Sequence, residues 1–398
     1  MTTSQEPRSY PFSEAVRLDL DPTYAELRET NPVSRVRLPY GGDAWLVTKY
    51  DDVKAVMGDL RFSRAAVLGR DVPRASPAIT NRPSILSTDP PEHGRLRKLV
   101  AKGFTMRRVE QLRERAQVLV DGLLDDVEAK GAPADLVEAL NMPLPITIIC
   151  ELLGVPYEDR DQFRNWSDRA LAITAFTPEE ITEAFEDLQT YIAGLVAERR
   201  KSPTEDVLGT LVTARDEGDR LSEEELVNFG VTLLVAGHET TANQLGNFIY
   251  TLLTNPERLA ELRADPELLP AAVEELLRIT PLGGSAGFPR IAVEDVELSG
   301  VTIKAGDAVF VGQAGNRDPA MFERPGEIDF HRENNAHVAF GHGVHHCIGA
   351  PLARMELQVG IGSLLRRFPS LELAVPADEV PFRKGRLVRG PQELLVRW

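Results

Sequence analysis

The sequence predicts a mainly helical protein with small β-sheets. Most of the chain between residues 95 and 279 repeats apolar residues at the three- and four-residue spacing of helices. Residues 286–312 instead form short alternating runs separated by glycine turns, which is typical of small strands. Neither an internal repeat nor a low-complexity linker interrupts the 398 residues. We therefore expect one domain that spans residues 1–398.

The predicted elements follow one another in order along the chain. Residues 44–57 have the pattern of a strand that passes into a helix. The strongly apolar segment 136–155 is expected to be buried. Helices are predicted at 95–131, 178–200, 204–215, 222–254, 256–263, 269–279 and 353–368. The last strands surround residues 385–398.

The composition excludes some classes of function. The formal net charge of -16 argues against nucleic acid as the main partner, because phosphate binding needs a surplus of positive charge. Two cysteines, Cys150 and Cys347, are too few for a disulfide framework and suggest a reducing, cytoplasmic location. We expect a soluble protein, because we see neither a secretory signal nor an apolar run near the roughly 18 residues that span a bilayer.

One glycine-rich segment, FGHGVHHCIGA at 340–350, carries three histidines and Cys347. A small buried cysteine is expected at Cys150, inside an apolar stretch, but the histidines and glycines around Cys347 make that interpretation poor. A structural zinc site usually has four ligands with paired spacing, and covalent haem attachment needs C-x-x-C-H; the segment has neither. A single thiolate that ligates a haem iron fits better, because glycines let the backbone approach a flat macrocycle.

This segment resembles the haem-binding loop of the cytochromes P-450, in their soluble bacterial form. The resemblance implies that haem b is the cofactor and that Cys347 is the thiolate ligand of its iron. It also implies that Phe340 shields the sulfur and that His345 bonds a haem propionate, whereas His342 and His346 are expected not to be ligands. The implied cofactor contacts in the loop are Phe340, Gly341, His345, Cys347 and Gly349.

A second motif, EELLR, places Glu275 and Arg278 three residues apart on one helix face. Taken alone, it predicts an ordinary surface ion pair. Its position before the cysteine loop resembles the E-x-x-R pair of the family, and Arg332 lies where the family has the partner arginine. The resemblance implies a buried structural triad, for which planar guanidinium groups are well suited.

The predicted helix 222–254 begins with a capping box from Ser222 to Glu225. At about 1.5 Å per residue it would be close to 50 Å long. Its middle, AGHETT at 236–241, is a poor helix interior, and a threonine hydroxyl can bend a helix by bonding the carbonyl four residues back. On the residues alone, a kink tolerated for packing is one interpretation of this segment, but not the favoured one.

In the family, this position is the oxygen-binding groove of the long central helix. The resemblance implies that Ala236 and Gly237 border the haem and that Gly237 leaves room for dioxygen. It further implies that Thr240 donates a hydrogen bond to the bound oxygen and that Glu239 relays protons from solvent. Cleavage of the O–O bond needs two protons delivered in order, which suits an acid–alcohol pair.

Three further cationic residues belong to the implied haem site. His93 and Arg97, four residues apart in DPPEHGRLRKLV, lie on one face of a helix start. Their spacing alone predicts a solvated basic face. The resemblance assigns both, together with Arg290, to the haem propionates, and a dianion in a dry pocket needs such counter-charges.

Electrons are expected from an external ferredoxin and its ferredoxin reductase, because the chain shows no flavin or iron–sulfur segment. The segment 93–109 contains no acidic residue in an otherwise acidic chain. Its basic residues are Arg95, Arg97, Lys98, Lys102, Arg107 and Arg108. Our hypothesis is that the exposed members dock an acidic ferredoxin on the cysteine side of the haem. The alternative is propionate binding combined with ordinary surface charge.

The favoured function is a haem-thiolate monooxygenase that inserts one oxygen atom from O2 into a C–H bond, by hydroxylation or epoxidation. The substrate is expected to be hydrophobic and bulky, such as a polyketide or macrolide, because PLGGSAG at 281–287 gives small pocket walls. The other expected pocket borders are 65–88, 168–180, 233–240 and 386–391.

Other functions stay open at this point. Within the family, a small-terpenoid hydroxylase and an oxidative ring-forming enzyme use the same cofactor chemistry. A peroxygenase or a haem-thiolate sensor without turnover is less favoured, because Glu239 and Thr240 are both present. A zinc-binding structural protein is the most distant alternative.

Overall fold

The computed structural model describes residues 6–77, 79–216, 221–283 and 288–398. Within these ranges the chain is mainly helical with small sheets, which confirms the predicted fold class. Contacts along the chain define two compact units. Unit 1 comprises 1–95, 277–328 and 332–347, and unit 2 comprises 96–276, 329–331 and 348–398. The single domain remains a prediction.

The helices and strands account for most of the described residues. The helices are α1 (Thr23–Thr30), α2 (Tyr50–Gly58), α3 (Glu92–Val100), α4 (Met106–Lys130), α5 (Pro143–Leu153), α6 (Arg160–Ala170), α7 (Pro178–Lys201), α8 (Val207–Asp216), α9 (Glu223–Leu253), α10 (Pro256–Ala264), α11 (Leu269–Ile279) and α12 (Ala350–Arg367). The strands are β1 (Arg8–Ser9), β2 (Val33–Arg37), β3 (Asp43–Val47), β4 (Phe62–Ser63), β5 (Ala134–Asp135), β6 (Arg290–Ala292), β7 (Val296–Leu298), β8 (Val301–Ile303), β9 (Ala308–Val311), β10 (Glu372–Leu373) and β11 (Leu395–Arg397).

Unit 1 contains a mixed six-stranded sheet in the order β1-β2-β3-β9-β6-β4, and a separate β7-β8 hairpin. The sheet is buried on both faces because alternate residues of its strands enter two different apolar clusters. Leu46 and Phe310 belong to one cluster, whereas Val47 and Val309 belong to the other. Strands β6 to β9 confirm the prediction of small strands within 286–312. Residues 284–287 of the predicted pocket wall lie outside the described residues.

Unit 2 is built around α9, a helix of 31 residues and about 46 Å. It packs against α5, α7 and α12, and α4 packs against α12. The predicted capping box is present: the Glu225 backbone N–H donates to the Ser222 hydroxyl over 3.0 Å, and the Ser222 N–H donates to the Glu225 carboxylate over 2.7 Å. Strands β10, β11 and β5 form a small antiparallel sheet.

The prediction of one continuous helix over 95–131 is wrong. Helix α3 ends at Val100, a short 3-10 turn follows, and α4 begins anew at Met106. The Thr105 hydroxyl accepts a hydrogen bond from the Arg108 N–H and thus caps α4. A side chain on Gly103 would collide with Val207, so the turn passes close to α8. Helical spacing alone did not show this break.

Helix α6 is absent from the predicted helices. Its sequence, RDQFRNWSDRA, is mostly polar, but Phe163, Trp166, Ser167 and Ala170 are buried at a spacing of three, four and seven residues. That spacing is the signal by which it was recognisable. In the part of the chain that the structure describes, no helix is both long enough and apolar enough to cross a membrane.

Candidate active site

Cys347 lies at the end of a loop in unit 1 that closes on itself. Its backbone N–H donates to the Phe340 carbonyl, with 2.9 Å between nitrogen and oxygen. Gly341 and Gly343 have φ values of 78° and 71°, a left-handed conformation that favours glycine. A Cβ on Gly343 would lie 2.8 Å from the Cα of Gly58 on α2, so only glycine lets the loop approach that helix. Cys347 itself is exposed and accessible to a ligand.

Phe340 is partly buried and lies near two histidine rings. Its ring centroid is 6.4 Å from that of His337 and 6.5 Å from that of His346. His342 and His346 are exposed. Among the described residues, no three His, Cys, Asp or Glu side chains form a cluster that could hold a metal ion, so the zinc alternative finds no donor set there. The shielding role of Phe340 remains a prediction.

Unit 1 also contains a group of four basic side chains, here called the cationic cluster: Arg64, His93, Arg290 and His345. The rings of His93 and His345 lie 4.3 Å apart, centroid to centroid. Nε2 of His345 is buried and meets no hydrogen-bond partner in the described ranges. Burial, followed by the positive charges of Arg64, His93 and Arg290, lowers the pKa of His345 to about 3.

Arg290 is the most informative member of the cationic cluster. It is only 7% exposed. Its side chain forms no hydrogen bond or ion pair with any residue that the structure describes. Burial lowers the pKa of Arg290 to about 10. A buried guanidinium is stable only with an anionic partner, so the cluster fits the two carboxylates of haem b.

Two other residues that the sequence predicted to contact haem, Arg97 and Gly349, belong to unit 2. Arg97 follows His93 by four residues on α3 and is partly exposed. Gly349 occupies the N-cap position of α12, directly after the cysteine loop. Their predicted haem contacts remain predictions.

The middle of α9 has an open face between buried stretches. Ala236 is exposed, whereas Val235 and His238 are buried. The Thr240 hydroxyl donates to the Ala236 carbonyl over 2.8 Å, which is the bond four residues back that the sequence suggested. A Cβ on Gly237 would lie 2.6 Å from the Ile149 side chain of α5. This glycine therefore lets α9 approach α5, and its predicted role towards dioxygen remains a prediction.

Glu239 is 3% exposed and held by cations and amides of unit 2. Its Oε1 accepts from Arg383 and from Asn243, each over 3.1 Å. Its Oε2 is buried and has no hydrogen-bond partner within the described ranges, although Nε2 of His238 lies 3.9 Å away. Arg383 also donates to Asp168 over 3.0 Å. A charged chain thus runs from the half-buried Asp168 to the buried Glu239.

Arg383 and Asp168 were missed in the sequence, and so was Arg64. The run PFRKGR at 381–386 is basic in an acidic chain, and this was the available signal. Backbone bonds also connect this run to residues 173–175: the N–H groups of all three donate to the Gly385 carbonyl. Sequence spacing carries no information on such contacts, because the partners are far apart along the chain.

The three residues of the predicted triad are found in buried or partly buried positions. Arg278 is 2% exposed and donates to the carbonyls of Asn316, Pro325 and Glu327. Arg332, in the same unit, donates to the Glu323 carbonyl over 2.6 Å and also reaches that of Glu327. Glu275 is fully buried, and its carboxylate accepts from the Asp329 N–H over 2.9 Å. These residues therefore fix backbone turns, and the triad as a unit remains a prediction.

Buried positive charge and an exposed cysteine in the same unit are what a dianionic cofactor with a thiolate ligand would require. Comparison with known proteins agrees. The family model "Cytochrome P450" matches residues 24–397. Nocardicin C N-oxygenase of Nocardia uniformis subsp. tsuyamanensis is 54% identical, with 100% of both chains covered. Mycinamicin IV hydroxylase/epoxidase of Micromonospora griseorubida is 51% identical, again with 100% of both chains covered.

A solved structure shows the same fold. The cytochrome P-450 hydroxylase from the leinamycin biosynthetic pathway of Streptomyces atroolivaceus S-140 superposes with a TM-score of 0.92 and is 55% identical, covering 98% of this chain and 100% of that one. The chain therefore belongs to the cytochrome P-450 family. It is a monooxygenase that uses haem b, O2 and a hydrophobic substrate.

The ion pair of Arg383 with Glu239 is expected to matter for stability. Arg383→Gln leaves a carboxylate buried without its cation, and we expect a loss of about 3–5 kcal/mol in the free energy of unfolding. Adding Glu239→Gln should restore part of that loss, because it removes the buried charge. Urea titration of the single and double variants measures both effects.

Arg397→Gln is the matched control, because its ion pair with Glu372 has about 60% of each side chain exposed. Its cost should be below about 1 kcal/mol. Equal costs for Arg383→Gln and Arg397→Gln would show that Arg383 does not hold Glu239 in the folded protein.

Proposed function

We propose that this protein is a haem-thiolate monooxygenase with Cys347 as the iron ligand. It inserts one oxygen atom from O2 into a C–H bond of a bulky, hydrophobic secondary metabolite such as a polyketide or macrolide. The observation that carries the proposal is the unpaired Arg290 guanidinium, in the same unit as the accessible Cys347. Arg290 would pair with the anionic propionates of haem b, and Cys347 would supply the thiolate ligand of its iron.

Most of the residues proposed to hold the cofactor belong to unit 1. Arg97 and Gly349 follow closely after segments of unit 1 in the sequence. Cys347 would supply the thiolate, and the cationic cluster would neutralise the propionates. Bound haem supplies the activation of O2, which a thiolate ligand promotes by favouring O–O cleavage. The positive φ values of Gly341 and Gly343 fix the path of the loop, so that the sulfur is presented in one position.

Proton delivery is assigned to Glu239 and Thr240. Oε1 of Glu239 is occupied by Arg383 and Asn243, whereas Oε2 is left to accept and pass on a proton. The Thr240 hydroxyl is oriented by its bond to Ala236 and can still accept a hydrogen bond through its oxygen. Arg383 donates hydrogen bonds to both Glu239 and Asp168, so we assign it the role of positioning the Glu239 carboxylate.

The substrate class rests on relatives and on the predicted pocket wall. The relatives at 51–55% identity are named for nocardicin C, mycinamicin IV and the leinamycin pathway. A related structure, 51% identical, contains mycinamicin V. These names support a secondary metabolite, and the small residues of 281–287 support a bulky one. A cytoplasmic location, suggested by the low cysteine content, is part of the same proposal.

The substrate class is tested by titrating the holoenzyme with a panel of macrolides, other polyketides and small terpenes. We expect macrolides or polyketides to bind with a high-spin spectral shift and to gain one 18O atom per product molecule under 18O2. Thr240→Val should keep this binding but lower product per O2 consumed by about 10–100-fold, because the positioned hydroxyl of the acid–alcohol pair is lost.

Thr241→Val is the matched control, since Thr241 is the adjacent, buried threonine of α9. It should couple O2 to product as the unaltered protein does. Tight binding of small terpenes alone would contradict the substrate class. Product without 18O would contradict monooxygenation.

The electron donor proposed is a ferredoxin with its reductase, docked on Lys98, Arg107 and Arg108. All three side chains are exposed. Arg107 and Arg108 lie in the first turn of α4. That first turn contains no acidic residue. Cations at a helix N-terminus oppose the helix dipole, so they do not serve helix stability. Their exposure supports an interaction with an acidic partner.

Charge reversal at Arg107 and Arg108 tests this docking site. Arg107→Glu with Arg108→Glu should slow ferredoxin-driven turnover about tenfold or more at low salt, because attraction becomes repulsion. Turnover driven by peroxide should be unchanged. Lys130→Glu, at the exposed far end of α4, is the control and should affect neither rate. An equal loss in both assays would contradict docking.

A further inference from the structure

Arg64 lies beside Arg290 because of how two strands pair. Strands β4 and β6 are antiparallel, with Phe62 opposite Ala292 and Ser63 opposite Ile291. Continuing this register by one residue places Arg64 opposite Arg290. Like charges directly opposite each other on antiparallel strands are destabilising, so this juxtaposition needs an explanation.

The Arg64 side chain is positioned by one hydrogen bond and one aromatic contact. Its Nε donates to the Leu86 carbonyl over 2.7 Å. Its guanidinium carbon lies 4.7 Å from the ring centroid of Phe288, a cation–π contact. Phe288 and Leu86 are themselves 51% and 38% exposed, and Arg64 is partly buried. The terminal nitrogens of Arg64 meet no acceptor in the part of the chain described.

The negative charge near Arg64 is insufficient for the cationic cluster. Asp89 is the acid that acts on both arginines. Its carboxylate already accepts from the Ser63 hydroxyl and from the Arg64 and Ala65 N–H groups. Burial, and next the charge of Arg290, lower the pKa of Arg64 to about 9. The group therefore carries surplus positive charge that a dianion would balance.

We propose that Arg64 is a further propionate-binding residue, paired with Arg290 across β4 and β6 to grip one carboxylate of haem b. The inference rests on the proposed haem site and names a residue that the sequence did not assign. The two guanidinium groups present planar donor forks, which match a carboxylate better than a point charge does. Phe288 orients the fork of Arg64 and limits access of water to it.

A carboxylate on the substrate could meet the same donors, but the site favours a propionate. Arg64 shares the cationic cluster with the unpaired Nε2 of His345, which lies two residues before the proposed iron ligand. A propionate at this cluster would give a partner to the Arg64 and Arg290 guanidinium groups and to Nε2 of His345.

The test uses holoenzyme carrying Arg64→Gln, Arg64→Lys or Arg61→Gln. Arg61 is the matched control, because it lies just before β4 and its exposed guanidinium already pairs with Asp59. We expect Arg64→Gln to raise the rate of haem transfer to an excess of a haem-scavenging apoprotein by about tenfold or more, since a charge-assisted bond is lost. Arg64→Lys should fall between, and Arg61→Gln should match the unaltered protein.

A second readout is the reduction equilibrium of the substrate-free enzyme at low salt. Loss of a cation beside the cofactor favours the oxidised, more positive form. We expect Arg64→Gln to lower the reduction equilibrium constant by about threefold to tenfold, a tenfold change being about 59 mV. Phe288→Ala, which keeps the charge but removes the ring, should shift both readouts in the same direction by less.

The outcomes separate this inference from the proposed function. If the unaltered protein lacks a thiolate-ligated haem spectrum, the proposed function fails and the inference fails with it. If that spectrum is present but Arg64→Gln equals Arg61→Gln in both readouts, only the role of Arg64 is overturned. A change confined to the affinity for acidic substrates also overturns it and assigns Arg64 to the substrate.

Discussion

Uncompensated positive charge inside unit 1 is the constraint on which the rest of the structure depends. Arg290 is buried, has no partner among the described residues, and lies across a strand pair from Arg64. Withdrawing a guanidinium from water costs several kcal/mol unless an anion pairs with it. The cluster therefore opposes folding of the empty chain, and haem bound there as proposed would stabilise the fold. The loop in the same unit closes through the bond from the Cys347 N–H to the Phe340 carbonyl and leaves Cys347 exposed, which is what the proposed iron ligand requires.

In unit 2, by contrast, the buried acidic group has a cationic partner. There the buried group is a carboxylate, Glu239, and one of its oxygens is saturated by Arg383 and Asn243. The other oxygen is buried and has no hydrogen-bond partner among the described residues. Arg383 also donates to Asp168, so a half-buried acid, a cation and a buried acid form one chain. This arrangement keeps the carboxylate in place on a helix whose open face includes Ala236 and Thr240.

Local signals predicted the parts of the molecule that depend on neighbours in sequence. The ends of α9 lie within one residue of the predicted ones, because a capping box and Pro256 bound that helix. The cysteine loop was likewise recognisable, since its glycines, histidines and Cys347 lie within eleven residues. Arg64 and Arg383 were not, because their roles arise from strand pairing and from contacts with distant segments. Helix α6 was missed because only one narrow stripe of it is buried.

The central claim, that Cys347 is the thiolate ligand of a haem, is tested by the carbon monoxide difference spectrum of the dithionite-reduced protein. We predict a strongly red-shifted Soret band that is lost in Cys347→Ala. Cys150→Ala should keep the band, because Cys150 is buried in α5 and burial raises the pKa of its thiol to about 12. A band typical of histidine-ligated haem, or a band that survives in Cys347→Ala, would contradict the claim.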